Sequence, residues 1–395
     1  MVALQTRIAQ TRITCKNRER STALLVVAFV APWVGLCVLL VALGGCGSSS
    51  SSRAQGASSA SFHSNGEAEI NVQPSRTYEN PIARSQVRER ALGILLEASA
   101  SELPQMRANA IEAIALSPSR VESIARLGLL DDNLGVRYTA AMTIGKLELR
   151  SSRDLLKPLL RDEDPVVRAA AIYAIDRCGG KVDPTPIARL LQSNNLRHRA
   201  QGVFILGEMG NPSAIPMLKS VAAESMPMAS ISHVRLLRLQ VAEALVKLGD
   251  QSGVETLRAS LFPSRPEDLE ISALAVQIIG EIKDLRSLDQ LIYLADQEGD
   301  ERLPAEVRLG AAAAAAKLGE RGGAFIADTL WQDQIPAIRA QSAYVYGLIG
   351  GSASLARLDA LMSQDSNDLV RVAAAAGALR ATGSTEQASV LSEGR

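Results

Sequence analysis

The chain has 395 residues, with 42 basic and 42 acidic side chains, 47% hydrophobic residues and only 3% aromatic ones. An apolar mass built mainly from Ala, Leu, Ile and Val favours closely packed helices over sheets. Beyond residue 45 the balance is 37 basic to 41 acidic, because residues 1–45 hold five basic residues and one acidic. A mildly acidic body excludes the basic stripe that nucleic-acid binding requires.

The first segment reads as an export signal. Arg7, Arg12, Lys16, Arg18 and Arg20 precede an uncharged apolar stretch from Ala23 to Leu43, which ends in Leu43-Gly44-Gly45-Cys46. Small residues beside a cysteine after such a core match a secretory cleavage site. The site resembles a bacterial lipobox, and that resemblance implies a signal peptide over 1–45 and lipid modification of Cys46. The alternative is an uncleaved single-pass signal anchor, since the apolar stretch is long enough to span a bilayer. Either way the basic flank stays in the cytoplasm and the bulk of the chain faces outside it. The expected location is the bacterial cell envelope, with the membrane contacted through lipid on Cys46.

Residues 46–80 are rich in Ser and Gly without a sustained helical period, and read as a tether reaching about 30 Å. His63 lies there as an ordinary solvated side chain. Cys15 and Cys37 leave with the signal, so Cys178 would be the one free thiol and no intramolecular disulfide framework can form.

From residue 106 one pattern recurs: apolar, Arg, two variable residues, then a small one. Its arginines are Arg107, Arg137, Arg168, Arg199, Arg238, Arg308, Arg339 and Arg371, with Ser272 in place of one. Successive spacings of 30, 31, 31, 39, 34, 36, 31 and 32 residues each hold two helices and two turns. Val136, Ala140, Ala141 and Ile144 illustrate the apolar helical stripe. Gly179, Gly210, Gly249, Gly319 and Gly350 stand eleven residues after the column position, where a left-handed helix stop belongs. Pro165, Pro304 and Pro336 sit where proline starts a helix at little cost. The longer segments around Ser272 suggest a bend in the stack, with residues 225–232 as a surface loop.

The unit resembles the HEAT repeat, in particular the short HEAT-like repeat first associated with phycobilisome lyases; residues 162–179, DEDPVVRAAAIYAIDRCG, carry the motif most fully. The resemblance covers roughly 104–395. It implies an all-α, right-handed superhelical α-solenoid of about nine helical-hairpin repeats over 81–395. At about 8 to 10 Å between stacked helices, nine units predict a curved body roughly 80 to 90 Å long.

An arginine in the first turn of a helix faces the positive end of the helix dipole, at a cost of about 0.3 to 1 kcal/mol. Its recurrence therefore implies a fixed partner, and Asp132, Asp164, Asp333 and Asp368 are at hand. The column reads as a structural ladder rather than an anion-binding stripe. Positions two and five after the arginine vary in polarity and are expected to face solvent. By resemblance to HEAT-like arrays, Tyr173, Gln201, Phe204, Gln240, Gln341 and Tyr344 would line a concave groove that takes a protein partner.

Catalytic signatures are absent. Only His63, His198 and His233 are available, and no zincin, nucleophile-elbow, P-loop or dinucleotide-binding pattern occurs. His198 occupies a core position and Cys178 reads as a buried inert thiol. Deoxyhypusine hydroxylase, a HEAT-repeat enzyme, binds iron through repeated His-Glu pairs, and no histidine here is followed by Glu. No catalytic residue, metal, cofactor or small-molecule substrate is expected. The reading is a membrane-tethered, non-catalytic scaffold or assembly factor. The alternative carried by the resemblance is a chromophore-lyase-like or lyase-associated protein.

Overall fold

The computed structural model describes residues 70–393, except 264, 300 and 301. The segment expected to be a signal peptide, Cys46 and His63 lie outside the described residues. Helix α1 (Pro81–Ala98) is followed by hairpin α2 (Pro104–Ile114) and α3 (Pro118–Gly128), then α4 (Leu134–Lys146) with a 3-10 segment at Arg150–Arg161. Next come α5 (Pro165–Arg177) with α6 (Thr185–Leu190), and α7 (Leu196–Met209) with α8 (Ile215–Ala223). Helices α9 (Ile231–Lys247) and α10 (Val254–Ala259) precede α11 (Leu269–Glu281) and α12 (Leu288–Ala295). The array ends with α13 (Ala305–Lys317), α14 (Ala324–Leu330), α15 (Pro336–Ile349), α16 (Gly351–Gln364) and α17 (Asp368–Glu393). No strand occurs among the described residues, and the fold is an all-α solenoid.

Local chemistry accounts for the boundaries. Pro104, Pro165 and Pro336 are first helical residues, while Asn133, Asp164, Asn195 and Ser230 accept hydrogen bonds from the free N–H groups of the helices they precede. Gly179, Gly210, Gly249, Gly319 and Gly350 all have positive φ, as their place in the repeat requires. The two non-glycine residues with positive φ, Glu148 and Lys283, stand at the same place in two of the four units that lack the glycine.

The first helices of successive units form an inner layer, and some cross backbone to backbone. A Cβ added to Gly145 would lie 2.8 Å from Ala174 Cα, to Gly207 3.0 Å from Ala244 Cα, to Gly280 2.9 Å from Ala314 Cα, and to Gly347 2.5 Å from Gly377 Cα. Side chains this small let the inner helices approach closely, and that approach bends the stack toward its inner side.

The bend closes. Helix α1 packs on α17, on α16 and on α2, the neighbours that the second helix of a ninth unit would have. The first helix of the array thus completes the last repeat. Residues ahead of it tighten the seam: buried Tyr78 donates its hydroxyl to Asp359 at 2.8 Å, Arg90 pairs with the same carboxylate, and the side chain of Gln364 bonds both backbone groups of Asn71. Arg84 donates to the carbonyl of Ala381 at 3.3 Å. One apolar core runs from Tyr78 to Ala381. The curved body closes into a ring whose ends meet, and residues 70–80 pack as part of the folded body.

Candidate functional site

The arginine column organises the turns between units. Arg107 donates from Nε and Nη2 to both oxygens of Asp131, each at 2.7 Å, and from Nη1 to the carbonyl of Ser101 at 2.9 Å. Arg137 repeats this with Asp162 at 2.8 and 3.1 Å and the Asp131 carbonyl at 2.9 Å; Arg339 does so with Asp365 at 2.7 and 3.0 Å and the Asp333 carbonyl at 2.7 Å. Each guanidinium clamps the turn before its own helix to the turn of the next unit through a bidentate fork. Burial is the largest single influence and raises the Asp131 and Asp162 carboxyls, but the arginine hydrogen bonds, a backbone N–H bond to each and the arginine charge together outweigh it, and both titrate below the ordinary range.

The column varies elsewhere. Arg168 bonds the carbonyls of Asp162 and Glu163, and Arg199 reaches Glu224 at 2.6 Å. Arg308 donates to the Ala295 carbonyl at 3.2 Å and Arg371 pairs with Asp368. Arg238 is exposed and donates to the Ala222 carbonyl at 3.2 Å; Arg235 takes over by pairing with buried Asp268. Ser272 donates instead to the Leu261 carbonyl at 2.5 Å. Of the acids singled out in the sequence, Asp132 reaches Arg107 at 3.1 Å, whereas Asp164 and Asp333 are occupied with backbone N–H groups.

The inner face differs from its expected solvated groove. Tyr173, Gln201, Gln240, Gln341 and Tyr344 are all less than 9% exposed, and Phe204 is half-buried. Closure turns these positions toward one another across the ring. Gln341 donates to the carbonyl of Glu306 at 2.7 Å, bracing adjacent inner helices.

Charged residues from the inner helices meet in the same space. Lys247 bonds Glu208 at 2.7 Å and Glu243 at 2.6 Å and lies 5.3 Å from the Phe204 ring centre. Lys317 pairs with Glu281 and lies 5.7 Å from the Tyr344 ring, whose face also receives Arg380 at 5.0 Å. Burial lowers the Lys247 ammonium, but Glu243 and Glu208 outweigh it and hold its pKa above the lysine range. Lys146 is the opposite case: burial pushes it down to about 7, only partly offset by Glu208 and Glu112. Sequence reasoning did not select this cluster. Its signal was present, since the position nine after the column is charged in seven of nine units, Lys146, Arg177, Glu208, Lys247, Glu281, Lys317 and Arg380, with Leu116 and Leu348 as the exceptions. A cavity of about 200 Å³ adjoins it, lined from α2, α4 and α17 and by Phe204 of α7.

The remaining candidates are structural. Cys178 is buried with its thiol directed at the Ile144 carbonyl, 3.8 Å away, and burial raises its pKa, which suppresses thiolate chemistry. His198 and His233 bond Ser193 and Ser230 near their own helix starts. Met228 is exposed in the 225–230 loop, whereas Met226 packs on the core. No cluster of three or more His, Cys, Asp or Glu suited to a metal occurs among the described residues, and no described helix is long and apolar enough to cross a membrane.

A family model for HEAT repeats matches residues 91–176, from the middle of α1 to the end of α5. Among solved structures, human deoxyhypusine hydroxylase in complex with glycerol is 17% identical with a TM-score of 0.34, over 76% of this chain and 99% of that one. An engineered protein from a structural genomics consortium is 15% identical with a TM-score of 0.30, over 78% and 96%. No curated protein matches the sequence. Over residues 91–176 the repeats are HEAT-like, a type of fold that suggests a protein-interaction scaffold.

Proposed function

We propose that this chain is a non-catalytic protein-binding scaffold or assembly factor of the bacterial cell envelope, held at a membrane by lipid on Cys46. The residues between Cys46 and the ring set its reach. The observation that carries the binding role is where the large apolar side chains remain uncovered. The residues expected to line a concave groove are mostly buried and the space left between them is small, so a protein partner meets the outer helices instead. Phe262 and Tyr293 stand together there, with ring centres 6.1 Å apart, and are 45% and 61% exposed. Ile292 beside them is 40% exposed. Adjacent exposed aromatics on a rigid support are the usual anchors of a protein interface.

The test is crosslinking in cells with a photoreactive residue at Tyr293, using exposed Arg120 in α3, on another part of the ring, as control. A reproducible protein adduct from position 293, lost in Phe262→Ala, is expected; equal, non-specific adducts from both positions would overturn the surface. Cys46→Ala should release the chain from membranes or block its processing, and unchanged mass and fractionation would favour the single-pass anchor.

A further inference from the structure

The cavity at the seam has a lining that asks for a specific kind of occupant. Its walls are mostly carbon, from Leu116, Met142, Val372 and Ala376 among others. Four polar residues break that surface: Asn109, Glu112, Lys146 and Arg380. Arg380 offsets the Glu112 carboxylate, and Lys146, which burial pushes down to about 7, adds a partial positive charge at neutral pH.

Hydrogen-bond donors are also in excess. Asn109 Oδ1 accepts from Gln105 Nε2 at 2.7 Å, which fixes the amide's orientation. Its Nδ2 is buried and makes no hydrogen bond to the described residues, and the same is true of Arg380 Nη1. The Arg380 guanidinium is held in place against the Tyr344 ring rather than free to swing out. A buried donor without an acceptor costs about 1 to 3 kcal/mol, and such groups are few in native proteins. Two of them on one cavity indicate an acceptor that arrives from outside the chain.

We propose that this cavity binds a small monocarboxylate with a compact apolar body. The carboxylate accepts from Arg380 and Asn109, with Lys146 adding positive potential, and the apolar body packs on Met142, Leu116 and Val372. One negative charge is the most that this lining offsets, whereas a phosphate monoester would bring a second. Size sets the body: an apolar cavity of roughly 150 Å³ accommodates benzene, so about 200 Å³ suits one ring with a carboxylate or a short aliphatic acid. Water alone would reach the donors but leave the carbon walls uncovered.

The test is calorimetric titration of the full chain with benzoate, and with benzamide as a neutral probe of the same shape. Benzoate should bind a single site at least about tenfold more tightly than benzamide, the factor that corresponds to one charge-assisted hydrogen bond. Asn109→Asp alters one polar group while keeping shape, and should abolish benzoate binding by turning a donor into a repelling carboxylate. Ala376→Leu fills the cavity and should abolish binding of both probes without loss of helicity. Equal affinity for the two probes, benzoate binding that survives Ala376→Leu, or no binding at millimolar benzoate would each overturn the proposal. If Asn109→Asp fails to fold, Ala376→Leu and the benzamide comparison still decide it.

Discussion

At the scale of single residues, the repeat imposes backbone geometry even where side-chain chemistry resists it. Glu148 and Lys283 adopt φ of 50° and 54° at a place that glycine fills in five other units. A non-glycine residue there costs about 1 kcal/mol. The Lys283 side chain is exposed, so Lys283→Gly should raise unfolding stability by about 0.5 to 1 kcal/mol, read from a urea titration. Lys146 makes a second residue-scale prediction. Its folded pKa of about 7 lies below the ordinary lysine value of 10.5, so between those limits the unfolded chain holds a proton that the folded chain has lost. Stability should therefore rise with pH from about 7 to 9. Glu112, Glu208, Glu281 and Lys247 surround the group electrostatically, and the carboxylates among them already work against the shift. Thermal midpoints measured across that range should climb in the parent and stay flat in Lys146→Met; parallel slopes would refute the assignment.

At the scale of elements, paired inner helices lock where small residues face backbone. The α15–α17 crossing is tightest, because a Cβ on Gly347 meets Gly377 Cα and its carbonyl rather than a movable side-chain tip. Gly347→Ala must push the two helices apart, and overpacking of this kind costs about 1 to 3 kcal/mol. The control is Gly93→Ala in α1, where an added Cβ meets nothing within 4 Å and helix propensity favours alanine. Chemical denaturation should move in opposite directions for the two, and equal shifts would show that the crossing is not close-packed. The guanidinium forks work at the same scale, setting the angle of each unit to the next through turns rather than through the apolar core.

At the scale of the whole molecule, closure changes what kind of object the solenoid is. An open array interacts only between neighbours and frays from its ends. Here α1 supplies the last unit's second helix, and Asp359 joins Tyr78 and Arg90 to the array's far end. Asp359→Ala removes both contacts and leaves the Tyr78 hydroxyl without that acceptor. The expected outcome is faster amide hydrogen exchange in residues 75–98 and 368–382 together, with the α7 to α13 region unchanged. Exchange that rises evenly along the chain would mean that the seam is not a separable contact. Closure also explains why the inner face is mostly buried: nine inner helices drawn into a ring leave their side chains to meet each other rather than a partner.

Much of this was legible in the sequence, because it depends on contacts within about thirty residues. The helix period, the glycine stops and the arginine column are local: Arg107 to Asp131 and Arg137 to Asp162 span 24 and 25 residues. The arginines pointed to a ladder, though the acids that complete it are those of the next unit's turn. Only the tertiary structure decided the ring, since the rotation between units is small at any one joint and its sum over the array determines whether the ends meet. Tyr78 and Asp359 are 281 residues apart, and nothing in either segment alone announces the other. The same sum decided the fate of Tyr173, Gln201, Gln240, Gln341 and Tyr344: helical spacing put them on one face, but whether that face meets water or itself depends on the closed curvature.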